Sequence, residues 1–231
     1  MVRIVKKAEE RRNEILQKAQ ELFYINGYTK TSVNMVIEAL DISKGAFYHY
    51  FKSKEELLDS LAENLSRDIK SKIEAVVNNN NLNAIEKLNK MYYESGNYKI
   101  ENIDFIMTIT EALYNDNNLL MRYKFNKRSI ESFVPLLAAI FQQGKEENVF
   151  EIENPIIMAR IILLFVISIS EHNAKLFLQL KNQPEKLDEI INNLSAYQRS
   201  VERTLNAPEN SVVAFDKKFF EAFRDKLVSS K

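Results

Sequence analysis

Cysteine and tryptophan are absent from this 231-residue chain, and glycine, proline and histidine occur only four, four and two times. Without cysteine there is no disulfide, no thiolate metal ligand and no cysteine nucleophile. The two histidines, His49 and His172, lie far apart and form neither an H-x-x-x-H nor an E-x-x-H ligand pair. There is no glycine-rich phosphate loop, and general-base chemistry would need carboxylates that nothing in the pattern singles out. Enzymatic function is therefore disfavoured, and neither a metal nor an organic cofactor is expected. A long membrane span is missing as well: the greasiest run, Ile156 to Ile169, is short and carries Arg160, which reads as a buried helix. The opening residues, MVRIVKKAEERRNEIL, turn charged at once and lack the apolar stretch of a signal peptide, so a cytoplasmic location is expected.

What is present suits a packed helical protein. Hydrophobic residues make up 45% of the chain, enough for a substantial core, and charged residues at 28% supply a wet surface. Net charge is zero, but residues 1–54 hold ten Lys/Arg against six Asp/Glu, leaving twenty-two against twenty-six for the remainder. The amino-terminal end is thus the basic one, by +4 against −4.

Helical periodicity dominates, and no stretch alternates as a strand would, so the fold class expected is all-α. A first helix from about Lys6 to Ile25 collects Ile15, Leu16, Ala19, Leu22 and Phe23 on one face and stops at Asn26-Gly27. Thr31 or Ser32 can cap a short second helix whose Val33, Val36, Ile37 and Leu40 share a side. Asp41-Ile42 makes a tight turn, Ser43 caps a third helix through Phe51, and Ser53 with Glu56 forms a capping box opening a fourth. The fourth ends before the NNNNLN loop at 78–83. Further helical segments are expected at 84–95, 102–115, 117–143 with a kink or break at Pro135, 155–180 behind Asn154-Pro155, 184–205, and from Phe215 to Val228. No internal repeat is evident.

The stretch DISKGAFYHYFKSKEELL, residues 41–58, concentrates chemistry. On a helical wheel centred on Phe47, Phe51 lies about 40° away and Tyr50 and Lys44 about 60° to either side. Gly45, Ala46, Tyr48 and His49 take the far side. A solvated helix face would more usually carry Glu, Lys or Gln. Small residues in the first turn and hydrogen-bonding aromatics in the second suit the major groove of DNA, where Tyr48, His49 and Lys44 can reach phosphates or base edges. The backbone N–H groups after Ser43 can take a phosphate, and Lys52 and Lys54 extend the positive surface. Phe47 and Phe51, with Tyr50, anchor the helix from behind.

Residues 31–58, TSVNMVIEALDISKGAFYHYFKSKEELL, closely resemble the helix-turn-helix of the TetR family of bacterial transcriptional regulators, and the likeness extends back through AEERRNEILQKAQELFYINGY. The S-K-G-x-x-Y-x-Y-F-x-S-K-E-E-L-L run is nearly a signature. The resemblance implies a three-helix DNA-binding domain at 1–58 and a helical effector-binding and dimerisation domain at 59–231. By position it makes Ser32 a phosphate-contacting cap and Asn34 a possible base contact. Ser43, Lys44, Gly45, Ala46, Tyr48 and His49 become the recognition helix, with Tyr50 and Lys54 on phosphates. One departure stands out: the family commonly has glycine in the turn where this chain has Asp41, a residue that tolerates a left-handed backbone.

For the rest, PIIMARIILLFVISIS is apolar on nearly every side and needs more cover than its own chain gives. Helices 155–180 and 184–205 are expected to pair with their copies in a homodimer that binds a palindromic double-stranded operator. Phe105, Ile109, Tyr114, Tyr123, Phe125, Phe133, Leu137 and Phe165 are candidates for a mainly apolar effector pocket, though ordinary core membership competes for most of them. Effector-triggered release from the operator is the expected mechanism. The alternative is an activator or DNA-binding scaffold of the same fold without an effector.

Overall fold

The computed structural model describes residues 2–114, 119–180, 182–215 and 220, and the described residues contain helices and no strand. In chain order the helices are α1 (Val2–Asn26), α2 (Val33–Ala39), α3 (Lys44–Tyr50), α4 (Lys54–Val77), α5 (Ala84–Glu101), α6 (Ile103–Leu113), α7 (Leu119–Glu146), α8 (Pro155–Gln179) and α9 (Lys186–Thr204). The chain divides into two compact units, Met1–Ser66 with Asp104–Phe125, and Arg67–Ile103 with Asn126–Lys231. The helix expected from Phe215 to Val228 falls almost wholly outside the described residues.

In the first unit, the stripe expected on α1 is the buried one: Ile15, Leu16, Ala19 and Phe23 are fully or almost fully covered. Gly27 ends α1 with a positive φ of 77°, which costs glycine little. α2 buries Val36 and Ile37, α3 buries Phe47, and α4 buries Leu57, Leu58, Leu61, Ala62 and Leu65. α2 packs against both α1 and α3. Arg12 points its guanidinium over the Phe51 ring at 4.9 Å and donates to the Ser60 hydroxyl at 2.9 Å, so α1 grips both the end of α3 and the side of α4.

In the second unit the core gathers Leu88 from α5, Leu137, Ile140 and Phe141 from α7, Ala159 and Ile162 from α8, and Tyr197 and Val201 from α9. α8 and α9 form the most extensive helix pair. Their shared interior holds the buried Asn173, whose Oδ1 accepts from Asn193 Nδ2 at 2.9 Å; burying an amide is tolerable only with such a partner. Tyr92 and Tyr197 meet edge to face with their hydroxyls 2.9 Å apart, and burial raises the Tyr197 pKa to about 12, so both phenols stay neutral near pH 7. Lys87, nearly buried, donates to the Val77 carbonyl at 2.7 Å and so satisfies an orphan acceptor at the end of α4.

Four expectations need correction. Pro135 neither breaks nor ends its helix, since α7 runs continuously from Leu119 to Glu146. The carbonyl that Pro135 leaves without an intrahelical donor belongs to Glu131, which is exposed, as Pro135 itself is, and water can replace the lost bond. α5 continues past 95 to Glu101, held by the buried Tyr98, whose hydroxyl donates to Asp68 at 2.9 Å. The capping box at Ser53 is only half formed: Ser53 Oγ accepts from the Glu56 amide at 3.2 Å, but the Glu56 carboxylate reaches the Lys52 amide at 2.7 Å instead of returning to Ser53.

The fourth correction concerns α8, which is not a short run buried within its own chain. It has 25 residues and is long and apolar enough, by length and composition, to cross a membrane. Only part of it is covered: Ala159 and Ile162 are buried, while Ile156 and Ile157 remain more than half exposed and Leu164 and Phe165 are also open. A helix packed on one side by α9 has apolar residues left over on the other when nearly all its positions are apolar.

Candidate nucleic-acid interface

Ser32 holds an extended conformation, φ −105° and ψ 158°, and its Oγ accepts from the Met35 amide at 3.2 Å, which fixes the start of α2. The competing cap, Thr31, is buried and uses its hydroxyl differently, donating to the carbonyls of Leu22 and Gly27 at 3.0 and 2.9 Å. The α2–α3 turn places Asp41 at φ 49°, the left-handed conformation that its place in the turn suggested. Backbone bonds from Asp41 to Glu38 and from Ile42 to Ile37, both 3.2 Å, close the turn.

α3 then starts at Ser43, whose Oγ accepts from Ala46 N at 3.1 Å. That bond uses the Ala46 amide, which is therefore not available to a phosphate. Phe47 and Phe51 are completely buried with ring centroids 6.2 Å apart, so the inner face of α3 is anchored as the wheel implied. Burying each phenyl is worth roughly 2–3 kcal/mol, ample to hold a helix of two turns that would not persist alone. The outer face carries Lys44, Gly45, Tyr48 and His49, all exposed, with Ala46 and Tyr50 half-buried at its margins. Tyr48 leans edge-on against Phe47 at 5.4 Å and His49 against Tyr50 at 4.9 Å, so both are steered by their neighbours while keeping polar atoms accessible. A Cβ built on Gly45 would meet nothing closer than Ser43 Oγ at 3.9 Å, so the fold does not require glycine there.

Ser32 and Asn34 are exposed at the start of α2, and Lys52 is exposed beyond α3. Lys54 was expected on a phosphate. Half-buried, it donates to the Tyr28 carbonyl at 2.9 Å and the Thr29 carbonyl at 3.4 Å, with its ammonium 4.3 Å from the Tyr28 ring centroid. Tyr28 is nearly buried, and that burial, with the Glu55 carboxylate second, raises its pKa to about 12. Arg12 and Thr31 were not singled out as members of this constellation. Arg12 precedes Ile15 and Leu16 by three and four positions, which puts it on the apolar face of α1, and that placement was the legible signal.

The effector candidates are distributed. Phe105, Ile109, Tyr114, Tyr123 and Phe125 belong to the first unit, and Phe133, Leu137 and Phe165 to the second. Ile109 and Leu137 are buried, Leu137 within the second unit's core, whereas Tyr123 and Phe165 are exposed. His172 meets Glu189 of α9 at 3.5 Å. Among the described residues no group of three or more His, Cys, Asp or Glu is placed to hold a metal.

Residues 15–61 match the family profile for bacterial regulatory proteins of the tetR family. The chain is 47% identical over 53 residues to the HTH-type transcriptional regulator YuxN of Bacillus subtilis, an alignment covering 23% of this chain and 18% of that one. It is 26% identical over 205 residues to YerO, another HTH-type transcriptional regulator of B. subtilis, covering 80% and 66%. The matches therefore span from about a fifth to just under two thirds of these curated relatives. A crystallised TetR-family transcriptional regulator from Pectobacterium atrosepticum shares the fold with a TM-score of 0.66 at 16% identity, covering 88% of this chain and 98% of that one. The amino-terminal segment of the chain thus matches the profile of tetR-family bacterial regulatory proteins, and its all-helical fold is shared with solved TetR-family regulators.

Proposed function

We propose that this protein is a ligand-responsive repressor that binds a palindromic operator as a homodimer. Residues 1–58 form its reading head and 59–231 its effector-binding and dimerisation domain. The carrying observation is α3 itself: two fully buried phenylalanines fix one face, so the opposite face presents Lys44, Gly45, Tyr48 and His49 in one orientation. In this reading Gly45 and Ala46 let the backbone approach the major groove, Tyr48, His49 and Lys44 contact base edges or phosphates, and Tyr50 flanks them on a phosphate. Ser32 and Asn34 reach the neighbouring strand from α2, and Ser43 maintains the start of α3.

The exposed apolar face of α8, beside α9, supports the homodimer. A two-fold axis there sets two α3 helices against half-sites one helical turn, or a multiple, apart. A small, mainly apolar effector belongs to this reading, with Phe133, Leu137 and Phe165 of the second unit as candidate surface for it. Binding of that effector favours a conformation whose two heads no longer match the operator, and DNA affinity falls by the differential affinity of the ligand for the two states. The location that fits is the cytoplasm.

Titration of duplex DNA taken from immediately upstream of the protein's own coding sequence tests the reading. Phosphate neutralisation by two heads predicts a loss of roughly 1,000-fold or more in affinity between about 50 and 200 mM salt. A flat response over that range would remove the phosphate anchoring on which the reading depends.

A further inference from the structure

Lys54 opens α4, where a cation sits at the wrong end of the helix dipole; Glu55 and Glu56, next in the first turn, are the residues that suit it. Its ammonium nevertheless occupies a defined place. It has three donors, and two carbonyls at 2.9 and 3.4 Å together with the Tyr28 ring at 4.3 Å account for them. The acceptors lie in the turn between α1 and α2. Tyr28 is pinned there by an edge contact with Phe23 at 5.2 Å, and its carbonyl also accepts from the Thr31 amide at 3.3 Å. Thr31 in turn ties the turn back to α1 through Leu22 and Gly27, and Ser32 follows as the cap of α2. The start of α4 is itself fixed by the Ser53 cap and by Glu56 on the Lys52 amide.

From this chain of contacts we infer that Lys54 is a positioning residue, a strut that sets the turn before α2 against the first turn of α4, and not a direct phosphate contact. α4 runs from Lys54 to Val77 and is the element that leaves the head for the rest of the chain, so the strut makes the placement of Ser32 and Asn34 depend on where α4 begins. The inference rests on the DNA-reading function proposed above. It assigns Lys54 a role inside the head that the family resemblance alone would place on the DNA.

Two measurements test it, both on the full-length protein with a duplex that the wild type selects from a randomised library. In the first, Lys54→Met retains the aliphatic stem and removes every donor. Assayed at a temperature where circular dichroism shows it fully folded, it is expected to bind the duplex at least tenfold more weakly than wild type, with the same slope of log affinity against log salt. A slope smaller by about 0.9, the signature of one lost phosphate contact, would overturn the inference. So would unchanged affinity.

The second measurement needs no variant and decides the matter should Lys54→Met fail to fold. The wild type is labelled with an amine-acetylating reagent, free and bound to the duplex. Lys54 is expected to react slowly in both states, while the exposed Lys44 reacts readily when free and becomes protected by DNA. Rapid labelling of free Lys54 that DNA suppresses would overturn the strut. Failure of the wild type to select any duplex would instead reject the proposed function, and the two failures are distinct.

Discussion

Replacing Ile157 and Leu164 together by arginine is expected to yield a folded monomer whose operator affinity is lower by about 1,000-fold. The two positions are seven residues apart on α8 and so lie on one stripe, and both are exposed, at 57% and 47%. The chain's own packing loses little when they change, because the buried contacts of α8 come from Ala159, Ile162, Asn173, Ala174 and Leu176. In the proposed dimer the same two side chains meet the partner's copies across the axis. Four arginines would then be brought together in a desolvated interface, a cost that association cannot offset. A monomer engages one half-site, and specific binding commonly exceeds non-specific binding by a factor of 10³ or more. Sedimentation velocity gives the mass, circular dichroism the fold and a gel shift the affinity. A variant that remains a dimer would move the interface elsewhere.

Gly144→Ala is expected to destabilise the second unit by about 3 kcal/mol, the upper range for overpacking a filled core. Gly144 lies in the last turn of α7, and a Cβ added there would fall 2.0 Å from Phe150 Cδ2 and 2.4 Å from Cε2. The ring has little room to retreat. Phe150 is 97% covered and stacks edge-on against Phe141 at 5.8 Å. Its backbone is held as well, since the amides of Val149 and Phe150 both donate to the Gly144 carbonyl, at 2.9 and 3.1 Å. The helix-propensity gain of alanine over glycine, up to about 1 kcal/mol, does not compensate. For a chain of this length such a loss lowers the melting midpoint by roughly 6–12 °C. Gly45→Ala is the control of opposite sign: its Cβ meets only Ser43 Oγ, at an ordinary 3.9 Å, and it gains helix propensity, so its midpoint should hold or rise. Equal melting of the two variants would contradict the packing described at Phe150.

Much of this architecture was legible because local chemistry and long-range packing agree. Ser32, Ser43 and Asn154 cap α2, α3 and α8, and the apolar spacing on α1 and α2 selects Ile15, Leu16, Ala19, Phe23, Val36 and Ile37, which are buried, together with Leu22, Val33 and Leu40, which are only half-buried. Asp41 adopts the left-handed turn because its short polar side chain tolerates it. Features that depend on which way a side chain faces in three dimensions were not legible. Pro135 could be tolerated only because it and Glu131 lie on a wet surface, and no one-dimensional pattern reports that. The glycine of Lys54's signature neighbourhood was visible as a small residue, but Lys54 itself reads as a surface cation until Tyr28, twenty-six positions earlier, is brought beneath it. The aromatic residues gathered as one effector set divide between two units, because aromatic spacing marks burial in general and does not say which core a residue joins.

The reading of DNA by the outer face of α3 is tested most directly by titrating the operator duplex with wild type and with Tyr48→Ala. The side chain is 53% exposed and its removal leaves Phe47 and Phe51 in place, so the variant should remain folded. Loss of a phenolic contact to phosphate or base edge predicts binding weaker by about 1 kcal/mol or more, fivefold or greater. Identical titration curves for the two proteins would contradict the account.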